Sequence, residues 1–182
     1  HNAKVYVTMN IIPHDDDFEG LNEYLKYLQD VKVDAIITSS LYIINTCLNI
    51  APKIEVHLST QLSTSNSESI KFYEKLGVKR VVLAREVSLK QMKEIKKKSN
   101  LPLEVFIHGG MCSSYSGRCM LSNHMVNRDA NRGGCAHSCR WNYDLFNNNI
   151  KINQNEYYHI GSKDLCAIQV IKEMINIGVD SF

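Results

Sequence analysis

Short apolar runs rich in β-branched residues alternate with segments of helical period, and this alternation constrains the fold more than any other feature. "VKVDAIIT", "LGVKRVVLA" and "IGVDSF" each repeat the step from a helix into a strand. Strands that alternate with helices pair in parallel through right-handed crossovers, so the sequence predicts an α/β fold. The predicted strands are residues 4–9, 34–38, 54–58, 80–84 and 103–107, with a further strand at 179–182.

Local signals place the ends of the helices. The acidic run 15–17 before an apolar period predicts a helix N-terminus, and Ser88 begins a capping box. Gly77 and Gly178 follow apolar periods and predict C-terminal caps. Asp164 predicts the N-cap of the last helix.

The spacing of these strand–helix units, roughly 20 to 30 residues, fits a (β/α)8 TIM-barrel-like fold at least as well as an open sheet. The predicted strands are fewer than a barrel needs, and the chain begins with His1 rather than Met. We therefore expect an incomplete barrel, from about the third strand to the eighth, with an N-terminal barrel segment missing. Residues 1–107 are predicted to form parallel units, 108–162 a Cys-rich insertion with a short hairpin, and 163–182 the last helix and the start of the final strand.

The composition is that of an ordinary globular protein, and a net charge of +2 excludes a strongly basic nucleic-acid coat. No apolar run approaches the roughly 20 residues of a membrane-spanning helix, so we expect no membrane contact and a cytoplasmic location. In such a reducing compartment, clustered cysteines favour a metal site or a catalytic site over disulfides.

Four of the six cysteines lie close together, separated by six, fifteen and three residues. Only the second pair has the spacing usual for structural zinc, whereas an iron–sulfur cluster needs four thiolates and tolerates irregular spacing. The spacing favours a cluster and leaves zinc, or free or catalytic thiols, open. The four are Cys112, Cys119, Cys135 and Cys139, while Cys47 and Cys166 sit in helical patterns and are predicted core residues.

Polar residues at the carboxyl ends of the predicted strands form a second candidate set, because a barrel keeps its active site on that face. A structural hydrogen bond explains any single member equally well, but the set as a whole favours a pocket. Its members are Asn10, His57, Ser59, Gln61, Arg85, Glu86, Glu104 and His108.

Two segments carry a resemblance to a known family. "EVFIHGGMCSSYSGRCMLSN" at 104–123, with "NRDANRGGCAHSCRWNYDL" at 127–145, resembles the signature of the collagenase-like peptidase family U-32, and in particular a branch that hydroxylates tRNA. "KVYVTMNII", "EVHLSTQ", "RVVLARE", "SKDLC" and "GVDSF" are similar to further family segments, so the resemblance covers essentially the whole chain. It implies a barrel-type catalytic domain of which this chain is the later part.

The resemblance also implies an activity and a cofactor. Several members of the family take part in prephenate-dependent hydroxylation of tRNA or ribosomal RNA without cleaving peptides, and they bind a [4Fe-4S] cluster through cysteines. Carried onto this sequence, the ligands are Cys112, Cys119, Cys135 and Cys139, with Cys166 in reserve for the fourth position. The main hypothesis is therefore an iron–sulfur protein that hydroxylates a tRNA uridine.

This hypothesis gives the polar residues roles. The predicted catalytic residues are His57, Glu86 and His108. The predicted substrate-binding residues are Asn10, Gln61, Arg85, Arg128, Arg132 and Arg140, of which the last three would hold an anionic co-substrate such as prephenate, or RNA phosphate. Tyr115, Trp141 and Tyr143 could stack on RNA bases.

Two alternatives stay open. After "DAIIT" the family often has Asp, Pro and Gly, whereas this chain has Ser39, Ser40 and Leu41, so a non-catalytic binding module stabilised by zinc or another metal is one alternative. The other is a collagenase-like peptidase, in which a histidine activates a nearby cysteine. The nominal pairs are Cys112 with His108 and Cys135 with His137, and neither has a diagnostic surround.

Overall fold

A five-stranded parallel sheet forms the centre of the computed structural model, which describes residues 3–152 and 155–182. The strands lie side by side in chain order, and every neighbouring pair is parallel. They are β1 Tyr6–Met9, β2 Ala35–Thr38, β3 Glu55–Leu58, β4 Arg80–Val82 and β5 Leu103–Glu104. The predicted α/β fold is confirmed, and each of these strands lies within a predicted one.

The last residues of the chain continue this order beyond β5. Ser181 forms an isolated parallel bridge with Glu104, in the position predicted for a further strand. The Val105 N–H donates to the Ser181 carbonyl at 3.1 Å, and the Asp180 carboxylate accepts from the Leu103 N–H at 2.8 Å. Backbone and side chain together therefore hold this segment against the edge of the sheet.

Six α-helices lie in the described part of the chain: α1 Leu21–Asp30, α2 Leu41–Ile50, α3 Ser67–Leu76, α4 Leu89–Lys98, α5 Leu121–Val126 and α6 Ile171–Ile177. Two short antiparallel pairs follow β5, namely β6 His108–Gly109 with β9 Leu165–Cys166, and the hairpin of β7 Phe146–Asn147 with β8 Ile150–Lys151. Within the described ranges, no helix has both the length and the apolar character needed to cross a membrane.

One face of the sheet packs against the helices and forms the hydrophobic core. Because side chains alternate along a strand, Val56 and Leu58 share this face with Ile36 of β2 and Val81 of β4, and all four have no exposed surface. Burying an aliphatic side chain of this size stabilises the fold by about 1.5–3 kcal/mol. The helical residues that pack against them include Leu25, Ile44 and Ile70.

Several predicted helix ends are confirmed. Ser88 and Gln91 form a reciprocal capping box at the start of α4. Gly77 and Gly178 end α3 and α6 with φ angles of 104° and 94°, a left-handed conformation that favours glycine. Ser40 caps α2 by accepting a hydrogen bond from the Ile43 N–H.

The predicted helix start at 15–17 is wrong. Asp15–Phe18 form a separate 3-10 turn, and α1 begins only at Leu21. The interruption falls at Gly20, whose φ of 69° lies in the left-handed region and cannot continue a right-handed helix. Two of the acidic side chains pair instead with Arg132 of the Cys-rich segment.

The predicted N-cap at Asp164 is also wrong. Leu165–Cys166 form β9, so the chain is extended where a helix was expected, and α6 starts only at Ile171. The pairing of β9 with β6 overrides the local helical pattern, since each strand satisfies the backbone groups of the other. Asp164 forms an ion pair with Arg140 instead.

The opposite face of the sheet carries a charged cluster. His57 of β3 has no exposed surface, and its Nε2 lies 3.0 Å from Oε2 of Glu55. Its ring packs edge-on against Tyr6 at a centroid distance of 4.9 Å. Arg80 lies over the same tyrosine ring and contacts Glu104 at 3.4 Å. Burial lowers the pKa of His57 in spite of the nearby Glu55, so the imidazole is neutral at neutral pH.

The buried imidazole predicts a dependence of stability on pH. The folded-state pKa of His57 lies below 6.5, so the unfolded chain takes up the extra proton first as the pH falls from about 7 to about 5. We expect the free energy of unfolding to decrease over this range, and to decrease less in His57→Gln. Urea denaturation at the two pH values measures both losses. Equal losses in the two proteins would show that His57 is not responsible.

Candidate functional site

A cavity of about 310 Å³ lies at the carboxyl ends of β3, β4 and β5, where the Cys-rich segment contacts them. On the side of the sheet it is lined by Gln61 and Arg85, which follow β3 and β4, and by His108 of β6. The thiol-bearing residues that line it are Cys112, Cys119 and Cys135. The cavity therefore brings three of the four clustered cysteines together with three of the polar residues predicted at strand ends.

Gly117 allows the Cys-rich segment to approach the strand ends closely. A Cβ atom at this position would lie 2.9 Å from Cδ1 of Ile12 and 3.4 Å from the Gln61 carbonyl oxygen. Its φ of 70° is also in the region that side chains disfavour. The backbone conformation favours glycine here, between two of the clustered cysteines, and a side chain would also displace Ile12.

Asn131 fixes the backbone of Cys119. Its Oδ1 accepts from the Cys119 N–H and its Nδ2 donates to the Cys119 carbonyl, both at 3.1 Å. Asp129 holds Asn131 in turn by accepting from its N–H at 2.8 Å. The Asn131 carbonyl also accepts from the Ile12 N–H at 2.9 Å, which ties this turn to the segment after β1.

Arg85 joins the end of β4 to the loop between the first two clustered cysteines. Its Nη2 donates to Oγ of Ser116 at 2.9 Å and to the Ser114 carbonyl at 3.3 Å. Among the described residues, its buried Nε has no hydrogen-bond partner. A positively charged guanidinium that lines the cavity suits a carboxylate or phosphate ligand.

Arg140 lies at the edge of the site. It forms an ion pair with Asp164, and its Nη2 donates to the Met111 carbonyl at 3.3 Å. The Asp164 carboxylate raises the pKa of Arg140. Cys139 directly precedes Arg140 and Cys112 directly follows Met111, so the bond to the Met111 carbonyl brings the backbones of both cysteines close to the guanidinium. Cys139 is thus beside the cavity, although the described lining does not include it.

Two other predicted arginines lie away from the cavity. Arg132 pairs with Asp17 at 2.8 Å and with Asp16 at 3.4 Å, and the pairing lowers the pKa of Asp17. Its charge is therefore already matched by carboxylates of this chain. Arg128 is exposed and lies outside the described lining. Binding of an anion by either arginine stays a prediction.

The remaining predicted residues are dispersed. Asn10 lies at the end of β1, with its Nδ2 3.5 Å from Oγ of Ser59. His57 is buried within β3, on the charged face of the sheet, and Glu86 is exposed. Neither of these two belongs to the described lining, so their catalytic roles stay predictions.

The two remaining cysteines differ in environment. Cys47 is fully buried in α2 as predicted, and burial raises the pKa of its thiol to about 11. The core prediction for Cys166 is wrong, because the residue is exposed. The register of β6 with β9 sets Cys166 opposite His108, beside the cavity.

Four residues that hold this region together were not predicted from the sequence as site residues. Asn131, Ser116 and Asp164 hold the backbone or side chains of the site. Ser39 lies with its Oγ 3.0 Å from the Asn10 carbonyl and so secures the loop after β1. Asp129, two residues before Asn131, is a turn signal that can be recognised in the sequence. No local sequence pattern indicates a site role for Ser116, Asp164 or Ser39.

The donor chemistry of the site suits a thiolate-bound metal group. Iron–sulfur clusters and structural zinc both take cysteine thiolates, and the cavity supplies three with a fourth beside it. Within the ranges that the structure describes, no three His, Cys, Asp or Glu side chains already converge on one metal position. The residues therefore fit such a group by type and by location, and their side chains would have to close around it.

Comparison with known proteins adds the family. The profile of peptidase family U32 matches residues 1–182. The tRNA hydroxylation protein P1 of Bacillus subtilis is 48% identical, with the match covering 100% of this chain and 44% of that protein. The 23S rRNA 5-hydroxycytidine synthase of Escherichia coli is 36% identical, covering 100% of this chain and 27% of that protein. The chain thus spans less than half the length of these relatives.

A solved structure shares the fold. The U32 peptidase Mk0906 superimposes with a TM-score of 0.50 over 59% of this chain and 47% of that chain, at 17% sequence identity. At this identity the likeness concerns the arrangement of strands and helices alone.

Asn131 gives a prediction about the local stability of the site. Asn131→Ala removes two hydrogen bonds from Cys119, each contributing about 1 kcal/mol. We expect the Cys119 amide to exchange its hydrogen roughly 5–30 times faster, as measured by hydrogen–deuterium exchange. Asn131→Asp keeps the acceptor for this amide and should give a smaller effect. Asn176→Ala, on the surface of α6, is the control, and an unchanged rate in Asn131→Ala would contradict the assigned contacts.

Thiol reactivity provides a second prediction. Alkylation requires the thiolate and access to it, so in reduced, metal-free protein we expect Cys112, Cys135 and Cys166 to react first. Cys47 should react only on unfolding, because it is buried and its pKa is raised to about 11. Peptide mapping by mass spectrometry after timed alkylation gives the order. Rapid modification of Cys47 in the folded protein would be inconsistent with its position in the core.

Proposed function

The chain belongs to peptidase family U32, and we propose that it forms part of the catalytic domain of an iron–sulfur RNA hydroxylase. The observation that carries the proposal is the cavity at the strand ends, where three clustered cysteines meet Gln61, Arg85 and His108. Relatives named for tRNA hydroxylation and for synthesis of hydroxycytidine in ribosomal RNA support RNA as the substrate. Of the two, the tRNA hydroxylation protein is the more similar, and we therefore propose a tRNA uridine as the target.

The proposed scaffold is a (β/α)8 barrel to which this chain contributes six strands. The sequential parallel order of β1 to β5, with Ser181 pairing beyond β5, supports it, because a barrel is built in this order. The position of the cavity supports it too, since barrel enzymes bind substrates at the carboxyl ends of their strands.

In this proposal Cys112, Cys119 and Cys135 hold a [4Fe-4S] cluster. Cys139 is the proposed fourth ligand because it lies near Arg140 together with Cys112, and Cys166 is the alternative because β9 sets it beside His108. When bound, such a cluster supplies one-electron transfer. Gly109 lines the cavity and has open space where a Cβ atom would lie, which leaves room for a compact group close to the backbone.

The protein side chains in the cavity would bind and orient the other reactants. Arg85 lines the cavity and presents a positive charge to an anionic co-substrate, for which we propose prephenate, and Gln61 can bond a second polar group beside it. Histidine side chains can gain and lose a proton near neutral pH. His108 is exposed in the same cavity, so it can move a proton to or from the bound base.

Exposed aromatic residues at the cavity suit a flipped-out RNA base. Phe106 and Tyr115 line it with 51% and 66% of their surface exposed. Single-stranded RNA is recognised mainly by stacking of unpaired bases on such rings. A net charge of +2 supplies few phosphate contacts in this chain, so stacking and base-edge contacts would carry most of its selectivity.

A cysteine peptidase is the second candidate, because Cys112 and His108 line the same cavity. A histidine close to a thiol can lower its pKa and make it nucleophilic. In the part of the chain that the structure describes, no hydrogen bond links these two side chains, and no third group orients the His108 ring. The hydroxylase is therefore the better-supported function.

Metal content and activity test the proposal together. We expect protein purified without oxygen to contain about four irons and four sulfides per chain. Each of Cys112→Ser, Cys119→Ser and Cys135→Ser should lose most of this iron, and either Cys139→Ser or Cys166→Ser should do so as the fourth. Hydroxylated uridine in tRNA, measured by mass spectrometry after incubation with prephenate, should be lost in the same variants.

Cys47→Ala is the matched control, because it changes a core cysteine and should keep its iron. Gln61→Ala should keep iron and lower hydroxylation, since the Gln61 side chain lines the cavity and is proposed to bind a polar group of the reactants. Absence of iron even after anaerobic reconstitution would overturn the cluster. Peptide cleavage that is abolished by Cys112→Ser would move the assignment to the peptidase.

A further inference from the structure

We propose that Arg140 and Asp164 are positioning residues. Arg140, held by Asp164, binds the Met111 carbonyl and thereby brings the Cys112 and Cys139 backbones together at the metal site. This inference rests on the proposed function for the identity of the metal group, but its contacts do not depend on that identity. We refer to the two side chains and the Met111 peptide as the Arg140–Asp164 clamp. It gives Arg140 a structural partner instead of the anionic co-substrate predicted from the sequence.

The arginine side of the clamp links the two cysteines through the backbone. Arg140 directly follows Cys139, and its Nη2 donates to the carbonyl of Met111, which directly precedes Cys112. A single side chain therefore spans from one cysteine-bearing backbone to the other. The two segments are 27 residues apart in sequence and share no strand pairing in the described sheets.

The carboxylate side of the clamp holds the guanidinium from the β9 segment. Asp164 forms an ion pair with the same Nη2 of Arg140 that donates to the Met111 carbonyl. The guanidinium and the nearby Met111 N–H both lower the pKa of the Asp164 carboxyl group. Ser162 adds a hydrogen bond from its Oγ to the Met111 carbonyl at 3.2 Å. The Met111 carbonyl thus accepts hydrogen bonds from Arg140 and Ser162, and Asp164 holds Arg140 in place.

Two glycines show how closely these segments approach. A Cβ atom on Gly110 would lie 3.0 Å from Nη2 of Arg140, so the guanidinium would have to shift to admit a side chain. A Cβ atom on Gly161 would lie 3.1 Å from the Cys139 carbonyl oxygen and 3.6 Å from Cγ of Arg140. Glycine at both positions lets the backbones of 110–112, 139–140 and 161–164 pack around the guanidinium.

The pairing of β6 with β9 extends the arrangement to a third cysteine. Gly109 pairs with Leu165, and His108 pairs with Cys166. Asp164 directly precedes β9, so it lies at the end of this ladder beside Gly110, where it meets Arg140. The clamp lies at the end of this two-stranded pair. One of the strands leads to Cys112, and the other contains Cys166.

The pair is too exposed to contribute much to global stability. The side chains of Arg140 and Asp164 are 38% and 61% exposed, and ion pairs of this kind are screened by water. Variants at these positions should therefore fold, and we expect them to change the separation of Cys112 and Cys139. This property makes the inference testable without loss of the fold.

Cross-linking of metal-free protein tests the geometry. A short bifunctional thiol reagent should join Cys112 to Cys139 in the wild type, as identified by peptide mapping. In Arg140→Gln and Asp164→Asn we expect the rate to fall by roughly fivefold or more, since bridging two cysteines tolerates little change in their separation. Arg140→Lys keeps the charge without the planar fork and should be intermediate. Gly110→Ala keeps both charges, displaces the guanidinium and should also slow the reaction.

The reduction potential of the iron-loaded protein distinguishes the effect of the Arg140 and Asp164 charges from the effect of cysteine position. Arg140→Gln removes a positive charge near the thiolates and should shift the potential to more negative values, whereas Asp164→Asn should shift it to more positive values. Both variants should nevertheless lose iron faster than wild type to a chelator. Arg128→Gln removes an exposed arginine of the same segment and is the control for cross-linking and iron retention.

The outcomes are distinguishable from those of the proposed function. Slower cross-linking in the clamp variants, with Arg128→Gln unchanged, supports the clamp even if no preparation binds iron. Unchanged cross-linking in Arg140→Gln and Gly110→Ala overturns it, even if the wild type binds a full cluster.

Discussion

Parallel pairing of β1 to β5 is the constraint on which the rest of the structure depends. Because all five strands run the same way and lie in chain order, their carboxyl ends share one edge of the sheet. Every loop that follows a strand must therefore begin on this edge. The Cys-rich segment follows β5, and so it starts beside Gln61 and Arg85 although these residues are distant in sequence.

The Cys-rich segment itself is held by a different kind of interaction. It contains little regular structure, so few of its backbone groups are satisfied by helices or strands. Side chains satisfy several of them instead, since Asn131 holds Cys119, Arg85 holds the loop at Ser116, and Arg140 with Asp164 holds the peptide before Cys112. Arg85 and Arg140, which the sequence predicts to bind substrates, are thus partly committed to hydrogen bonds with the backbone.

The two faces of the sheet have different roles in the scaffold. The helix face buries Val56, Leu58 and their neighbours, which supplies the hydrophobic stabilisation. The other face carries the ion pair of Arg80 with Glu104, and His57, whose buried imidazole is neutral and contacts Glu55. Any functional role of His57 must therefore be that of a buried, neutral imidazole and not of a residue at a pocket rim.

The strands, the helix caps at Gly77, Ser88 and Gly178, and the clustering of the cysteines could be predicted from the sequence. These features depend on neighbours a few residues away, through hydrophobic period, capping and spacing. The sequence misplaced the start of α1 and the cap at Asp164, where Gly20 and the pairing of β9 decide the outcome. Tertiary structure alone decided which charges meet, as in Arg132 with Asp17, 115 residues apart, and Arg140 with Asp164. Ion pairs and hydrogen bonds act over a few ångströms of space, and only the folded chain sets those distances.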